Sequence, residues 1–273
     1  MSVERDSKLS SNNKSNNTFR EMKEVPTDFK SPSPRLNVFK FADLEKATRK
    51  FSQDLVLGEG GFGKVFFGTW FEQNTFAPSI EGVGIAIAVK RLNKESLQGY
   101  AEWLAEVNIL GLMAHPNIIR LLGYCRDEHE HLLVYEYMPN KSLDHFLFKG
   151  HDIKCLSWET RLLIMIGVAR GLTYLHSAKL MCHGLKCGDI LLDENFNAKI
   201  GYFGLVKYGP ETEETHVTTR VIGTYGYAAP EYISTGHLST KTDIYGFGVV
   251  LLEIISGRRV LDHVKPQEQQ NLV

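Results

Sequence analysis

A glycine-rich segment near residue 60 is the first pattern in this sequence whose spacing suits phosphate binding. Gly58, Gly60, Gly61 and Gly63 precede Val65 in the order GxGxxGxV. Glycine permits a tight turn, and without a Cβ atom its backbone amides can approach phosphate oxygens closely. A dinucleotide-binding unit also uses GxGxxG, but there a helix follows the glycines. Because a β-rich run follows them here, we predict a hairpin.

A lysine and a glutamate follow the glycines at positions that suit the same ligand. Lys90 ends an apolar run over 85–89 that is typical of a strand, and Glu106 lies in a predicted helix over 98–112. A strand lysine held by a helix glutamate would place its cation on the α- and β-phosphates of a nucleotide. The same pair could also link strand to helix with no nucleotide bound, so both interpretations stay open.

The elements that would position these residues change from β-rich to helical along the chain. Short strand-like runs occur over 54–92, and another lies at 132–135. Two long helices are predicted over 158–177 and 240–256, the first with Ser157 as its N-cap.

Two segments precede this region. Residues 1–36 are rich in Ser, Asn, Lys and Pro and contain few large apolar side chains. Such a segment cannot bury enough surface to offset its ordering entropy, so we predict that it is disordered. Residues 37–52 carry apolar side chains at helical spacing and are predicted to form an amphipathic helical lead-in.

Composition and charge argue against several classes of protein. The formal net charge of −1 over 273 residues gives no support for nucleic-acid binding. The four cysteines have no CxxC spacing, which favours a reducing compartment. The sequence shows no signal peptide or transmembrane segment, and Ser2 excludes N-myristoylation from this start site. We therefore expect a cytoplasmic protein that reaches the plasma membrane only through partners.

From residue 39 to residue 273 the chain resembles the protein kinases, and specifically the plant receptor-like cytoplasmic kinases of the subfamily VII type. The motifs that carry the resemblance are FADLEKAT at 41–48, TFAPS at 75–79, HPN at 115–117, LVYEYM at 133–138, GTYGYAAPE at 223–231 and DIYGFG at 243–248. The resemblance implies the two-lobed α+β kinase fold over 53–273. A β-rich N-lobe would cover 53–138 and a helical C-lobe 139–273.

The resemblance also implies a nucleotide site in the cleft between the lobes. Backbone groups of Glu136 and Met138 would bind adenine, and Val65, Ala88 and Leu191 would enclose its ring. The glycine-rich segment and the lysine–glutamate pair would then hold the phosphates.

The catalytic loop implied by the resemblance departs from the family pattern. That pattern is roughly His/Tyr-Arg-Asp-x-Lys-x-x-Asn, and residues 182–189 read CHGLKCGD. With Lys186 in register, Gly184 stands where the aspartate that accepts the substrate proton belongs, and Asp189 replaces the metal-binding asparagine. Glycine cannot accept a proton, and a positioned base is worth roughly 10²–10⁴ in rate. The Asp189 carboxylate could still bind Mg²⁺ weakly.

A second acidic group is missing from the motif at 202–204, which reads YFG where the family has Asp-Phe-Gly. Tyr202 therefore replaces the main ligand of the metal ion that bridges the phosphates. A neutral phenol is a poor ligand for Mg²⁺, and its ring would crowd the phosphate site. We therefore expect any ATP binding to be weak and Mg²⁺ binding to be weak or absent.

Thr218 and Thr219 lie in the segment that corresponds to the activation loop, and both are candidate phosphorylation sites. In the family, an arginine of the catalytic loop binds a phosphate on this segment. His183 stands at the position of that arginine, so the resemblance implies a weakened partner for any phosphate there.

Kinase domains of this family continue past residue 273 into several more helices, so the resemblance implies a C-terminally truncated domain. The helix predicted over 240–256 is apolar nearly all round, and such helices are normally buried. The later helices would cover part of it, so we expect self-association, or the binding of a partner, through this helix.

The leading interpretation is a catalytically inactive kinase, or pseudokinase. It would act as a scaffold, decoy or allosteric partner of active protein kinases or receptor complexes in plant receptor and immune signalling. Two alternatives stay open. One is a weak, atypical ATP-dependent serine/threonine kinase in which Asp189 carries the metal, and the other is a decayed, unstable kinase fragment.

Overall fold

The computed structural model describes residues 36–60, 63–72, 76, 84–93, 97–127, 130–148, 155–210 and 214–273. The predicted disordered segment 1–36 lies outside the described residues apart from Leu36, and Gly61 and most of the TFAPS segment lie outside them too. No helix in the described part of the chain has the length and apolar character needed to cross a membrane.

Six strands and two helices make up the first part of the described chain. The strands are β1 (Asn37–Val38), β2 (Val56–Gly60), β3 (Gly63–Phe71), β4 (Ile85–Leu92), β5 (Leu121–Asp127) and β6 (Glu130–Glu136), and the helices are α1 (Phe41–Ala47) and α2 (Leu97–Leu110). The strands form one sheet in the order β1-β5-β6-β4-β3-β2, antiparallel throughout except between β1 and β5. Helix α2 packs on this sheet, where the Trp103 indole donates to the Leu132 carbonyl over 3.1 Å.

Side chains along β4 alternate between the buried core and the opposite face of the sheet. Ile87 and Val89 are fully buried, whereas Ala88 and Lys90 are only half-buried. Successive strand side chains point to opposite faces, so Ala88 and Lys90 share one face. Val65 lies opposite Lys90 in the β3–β4 register and therefore belongs to the same face.

The lead-in segment differs from the predicted helix over 37–52. Its first residues form β1, which adds to the sheet edge beside β5, and α1 is only seven residues long. The helix ends because Arg49, Lys50 and Phe51 have positive φ angles of 48°, 58° and 55°. Thr48 stabilises this end, since its hydroxyl donates to the Leu44 carbonyl over 2.8 Å and accepts from the Phe51 amide over 3.1 Å.

The second part of the described chain is mainly helical, as predicted. Its helices are α3 (Leu143–Phe148), α4 (Trp158–Ser177), α5 (Pro230–Thr235) and α6 (Thr240–Ser256). Short strands pair as β7 (Leu180–Met181) with β10 (Lys207–Tyr208), β8 (Ile190–Leu192) with β9 (Ala198–Ile200), and β11 (Val217–Thr218) with β12 (His237–Leu238). Short 3-10 helices lie at Cys187–Asp189 and Gln267–Gln269 in this part of the chain, and another lies at Gln53–Leu55, before β2. The predicted cap is confirmed, because the Ser157 hydroxyl accepts the Thr160 amide over 3.2 Å.

Helix α6 is buried along one side rather than all round. Val250 and Ile254 are fully buried. On the other side, Ile244, Leu252 and Ile255 have 49%, 44% and 58% of their surface exposed. Self-association through this helix stays a prediction.

The lead-in residues are part of the core, which generates a first stability prediction. Leu44 is fully buried, and the Phe39 and Phe71 rings beside it contact edge to face with centroids 5.0 Å apart. We expect Leu44→Ala to lower the free energy of unfolding by about 2–5 kcal/mol, because it removes buried apolar groups and leaves a cavity. The matched control is Val38→Ala, since Val38 is 70% exposed.

Chemical denaturation of the whole chain measures both variants. The Val38→Ala change should stay within about 0.5 kcal/mol of the wild type. Equal, small effects of the two substitutions would contradict a core role for the lead-in.

Candidate active site

An ion pair joins the sheet to helix α2, as the sequence predicts. Lys90 Nζ on β4 lies 2.6 Å from Glu106 Oε1 on α2, and only 1% of the Glu106 side chain is exposed. The Tyr135 hydroxyl on β6 donates to the other carboxylate oxygen of Glu106. Burial, followed by the Glu106 charge, raises the pKa of the Tyr135 phenol, so it stays protonated and keeps donating. The glutamate is therefore fully partnered within the protein.

The loop over 182–189 is held by a buried carboxylate of helix α6. The Cys182 amide lies 2.9 Å from both oxygens of Asp243, which is fully buried. His176 Nε2 on α4 lies 2.9 Å from Asp243 Oδ2. These contacts fix the start of the loop, because breaking them would leave a buried charge without partners.

A second acidic residue of α6 holds the far end of the same loop. Glu253 is 1% exposed and accepts from the Cys187 thiol over 3.0 Å, the Tyr227 hydroxyl over 2.7 Å and the Val260 amide over 2.7 Å. The sequence analysis did not assign it a role. The sequence does indicate such a role, because an acidic residue within an apolar helix must find buried partners.

Position 184 offers only backbone to the cleft. Gly184 has a φ of 96° and His183 a φ of 59°. A Cβ added at position 184 would meet no heavy atom within 4 Å, so space is available. A residue with a side chain would nevertheless be strained at this φ. Restoring a carboxylate here would therefore also require a change of backbone conformation.

Lys186 and Asp189 bind each other. Lys186 Nζ lies 3.0 Å from Asp189 Oδ1, and the Lys186 amide lies 3.3 Å from Oδ2. Burial raises the pKa of Asp189, and the Lys186 cation and hydrogen bonds oppose that shift. Since both carboxylate oxygens accept hydrogen bonds, a metal ion at Asp189 would have to compete with Lys186.

The Tyr202 ring lies next to both lysines of the cleft. Its centroid is 5.4 Å from Lys90 Nζ and 5.8 Å from Lys186 Nζ, within the range of cation–π contact. The Tyr202 hydroxyl lies 3.5 Å from Glu102 Oε2. Burial, followed by the charges of Glu102, Glu106 and Asp189, raises the pKa of the Tyr202 phenol, so it is neutral at ordinary pH.

Glu102 is a residue of this site that the sequence analysis did not single out. It is 2% exposed and lies one turn before Glu106 on α2. Residues four apart on a helix share a face, so the repeat of the two glutamates was the available signal. An added Cβ at Gly204 would approach Glu102 Oε2 to 2.9 Å, so the YFG turn packs closely against this carboxyl group.

The predicted hairpin forms from β2 and β3, with Gly60 opposite Gly63 in the register. Gly63 is required for packing, because an added Cβ would lie 2.2 Å from the Arg91 carbonyl oxygen and its φ is 148°. An added Cβ on Gly58 or Gly60 would meet no atom within 4 Å, so these positions are open.

The side chains inferred to enclose adenine lie on strands β3, β4 and β8. Val65 and Ala88 share the sheet face of Lys90, and Leu191 on β8 lies two residues after Asp189. All three are half-buried apolar side chains.

Backbone groups of two residues at the end of β6 and just beyond it were inferred to bind adenine, and the amide of Glu136 already donates to the Arg120 carbonyl over 3.1 Å. The Glu136 carboxylate is already engaged, since it accepts from Lys199 Nζ over 2.7 Å and from the Arg120 amide over 2.8 Å. The Met138 carbonyl accepts from the Lys141 amide over 3.1 Å. No hydrogen-bond partner of the Met138 amide is found among the described residues.

Thr219 is bound into the activation-loop segment without any phosphate. Its hydroxyl donates to the Arg220 carbonyl over 2.8 Å and lies 3.1 Å from the Tyr232 hydroxyl and 3.3 Å from His183 Nε2. Tyr232, in turn, accepts from the Ile222 amide over 3.1 Å. Burial lowers the pKa of His183, which therefore offers the segment a neutral ring rather than a cation.

The two candidate phosphorylation sites therefore differ, because Thr218 is exposed whereas Thr219 is part of this network.

We expect Thr219→Val to loosen the activation-loop segment, because one hydroxyl serves several partners. Its loss costs about 1–2 kcal/mol, which raises the equilibrium constant for local opening of the segment by a factor of about 5–30. Limited proteolysis between 214 and 229 measures this effect. Thr218→Val is the matched control and should cleave at the wild-type rate; equal rates for the two variants would contradict the network's role.

Comparison with known proteins assigns the chain to a family. The model of the family "Protein tyrosine and serine/threonine kinase" matches residues 51–273. The β-sheet part and the helical part are consistent with the two lobes of the kinase fold.

Several plant kinases are similar to this chain. The probable serine/threonine-protein kinase PBL10 of Arabidopsis thaliana is 52% identical over 244 residues, covering 88% of this chain and 59% of that relative. Receptor-like cytoplasmic kinase 176 of Oryza sativa subsp. japonica is 53% identical over 241 residues, covering 87% of this chain and 61% of the relative. Serine/threonine-protein kinase BIK1 of Arabidopsis thaliana is 47% identical over 266 residues, covering 96% and 67%.

This chain thus spans about 59% of the length of the first of these relatives. One family model matches most of the chain, and the structure contains the β-sheet and the Lys90–Glu106 ion pair that the resemblance implies. The chain therefore belongs to the protein tyrosine and serine/threonine kinase family, with relatives named as plant serine/threonine-protein kinases and a receptor-like cytoplasmic kinase.

Proposed function

We propose that this chain is a catalytically inactive member of the family, a pseudokinase. It acts by binding active protein kinases or receptor complexes as a scaffold, decoy or allosteric partner in plant receptor and immune signalling. One observation carries the proposal: Gly184 and the neutral Tyr202 ring stand where the family has its two catalytic carboxylates.

The chemistry of phosphoryl transfer makes these two losses severe. A positioned base contributes roughly 10²–10⁴ in rate. The bridging metal ion needs oxygen ligands of high charge density, which a neutral phenol does not supply. Because both groups act in one catalytic unit, their losses do not simply multiply, but either one alone lowers turnover by orders of magnitude.

A weak, atypical serine/threonine kinase is the second candidate. It is favoured by the intact Lys90–Glu106 pair and by the carboxylate of Asp189. In that case Asp189 would have to break its hydrogen bonds to Lys186 in order to bind a metal ion. ATP would then bind through the retained lysines, and Mg²⁺ or Mn²⁺ would be required.

The proposed partners and location follow from the relatives. One of them is named a receptor-like cytoplasmic kinase, which supports a cytoplasmic site of action beneath a receptor complex. The exposed Thr218 is then a candidate for phosphorylation by an active partner kinase. The exposed side of α6 is the candidate surface for self-association.

A transfer assay tests the proposal. Purified protein is incubated with ATP labelled at the γ-phosphate and a generic basic protein substrate, with Mg²⁺ and separately with Mn²⁺. We expect incorporation at background, equal to that of a Lys90→Ala variant, because neither base nor metal ligand is in place. Turnover within about tenfold of an active relative, and abolished by Lys90→Ala, would contradict inactivity.

A further inference from the structure

We propose that a phosphate on Thr218 is held by the stacked rings of His216 and His237, so that phosphorylation locks strand β11 onto strand β12. The inference rests on the proposed function, because it takes Thr218 as the substrate of an active partner kinase. It goes further by naming the groups that bind the phosphate and the effect of the phosphate on the activation-loop segment.

Thr218 and both histidines lie on the outward face of the β11–β12 ladder. Thr218 is paired with His237 in the antiparallel register, and residues directly opposite each other point to the same face. His216 lies two residues before Thr218, so it belongs to that face as well. The opposite face is the inner one, because Leu238 is fully buried.

The pairing of the strands brings the Thr218 side chain close to the His237 ring. The Thr219 amide donates to the Gly236 carbonyl over 2.9 Å, so this pair is hydrogen-bonded and the neighbouring pair of Thr218 with His237 is not. Side chains approach closely in such a pair, with Cβ atoms roughly 4.5–5.5 Å apart. A phosphate ester on Thr218 therefore comes within hydrogen-bond reach of the His237 ring.

The rings of His216 and His237 are stacked, with centroids 3.9 Å apart and an interplanar angle of 24°. Two charged rings at this separation would repel each other unless an anion lay beside them. A phosphate dianion is such an anion, and it favours the charged form of a neighbouring imidazole. The stacked pair can therefore supply both N–H donors and positive charge once the phosphate is in place.

Other charges near this face include one cation and one anion. Arg220 is exposed and follows Thr218 by two residues, so it adds a cation to the same segment. Glu214 opposes the phosphate, since it lines the same groove as His216 and Thr218. Glu214 is exposed and its charge is screened by solvent, whereas the ester bond fixes the phosphate beside His237.

Thr219 is unsuited to the same modification. Its hydroxyl already lies 3.1 Å from the Tyr232 hydroxyl and 3.3 Å from His183 Nε2. Burial lowers the pKa of His183, so a phosphate at position 219 would face a neutral ring in a half-buried site. Phosphorylation at position 219 would open the segment, whereas phosphorylation at position 218 closes it.

The chemical step takes place in the active site of the partner kinase. The Thr218 hydroxyl oxygen forms a bond to the γ-phosphorus of ATP, the bond from that phosphorus to the bridging oxygen of ADP breaks, and the hydroxyl proton passes to the partner's base. The product carries a charge of roughly −1.5 to −2 at pH 7. Because β12 ends at Leu238 and α6 begins at Thr240, the bound phosphate ties the segment to the start of that helix.

Hydrogen exchange of the Thr219 amide tests the inference, because this amide donates across the two strands and exchanges when they separate. The probe is the whole chain with phosphothreonine installed at position 218 during synthesis. We expect the phosphate to slow this exchange by about fivefold or more. In His216→Gln/His237→Gln it should slow exchange by less than about twofold, because glutamine carries no charge. Any direct effect of the phosphate on the exchange chemistry is the same in both chains.

The matched control is His263→Gln, which removes an exposed histidine after α6 and should keep the full effect of the phosphate. A second measurement uses the wild-type sequence: phosphorylation should shift the side-chain ¹H–¹⁵N resonances of His216 and His237 and leave those of His263 unchanged. These resonances decide if the double variant does not fold.

Unshifted resonances would overturn the inference, as would unslowed exchange in the phosphorylated wild-type sequence. Equal slowing in the folded double glutamine variant would also overturn it. None of these outcomes bears on whether the chain transfers phosphate, whereas turnover in the transfer assay would sink the proposed function.

Discussion

Two lysine cations face one cleft, and the arrangement of the site follows from the need to neutralise them. Lys90 has only 14% of its side chain exposed, so its charge needs a partner inside the protein. Glu106 supplies that partner, and Asp189 does the same for Lys186. The same lysine–glutamate pair is in place in active kinases, where the lysine also contacts the nucleotide phosphates. What is particular to this chain is the Tyr202 ring, which lies beside both lysines.

The loop over 182–189 is held at both ends by buried carboxylates of helix α6. Asp243 still holds the Cys182 amide, and Glu253 still holds Cys187 from the same helix. These contacts stabilise a loop conformation, and they place no demand on the side chain at position 184. A glycine at position 184 is therefore compatible with this loop conformation, which supports the proposed binding role.

Sequence patterns predicted the local features of the site, and long-range contacts account for the rest. The hairpin follows from the glycine spacing and the strand-like run after it, and the Lys90–Glu106 pair follows from a known nucleotide-binding pattern of a strand lysine and a helix glutamate. The Cys187–Glu253 contact joins residues 66 positions apart, and the His183–Thr219 contact joins residues 36 apart. Such contacts depend on how the helices and strands pack against one another, which local sequence patterns do not determine. The edge strand β1 was missed for the same reason, because its partner β5 begins more than 80 residues later.

We propose that Tyr202 and the Lys186–Asp189 pair leave the site with weak ATP binding and weak or absent Mg²⁺ binding. The most direct test of this central claim is the melting temperature of the whole chain with saturating ATP, measured with and without Mg²⁺. Because a ligand stabilises a protein only by binding its folded state, we predict that Mg²⁺ changes the melting temperature by less than about 1 °C. A rise of more than about 4 °C on adding Mg²⁺ would show that Asp189 rebuilds the metal site, and would contradict the account.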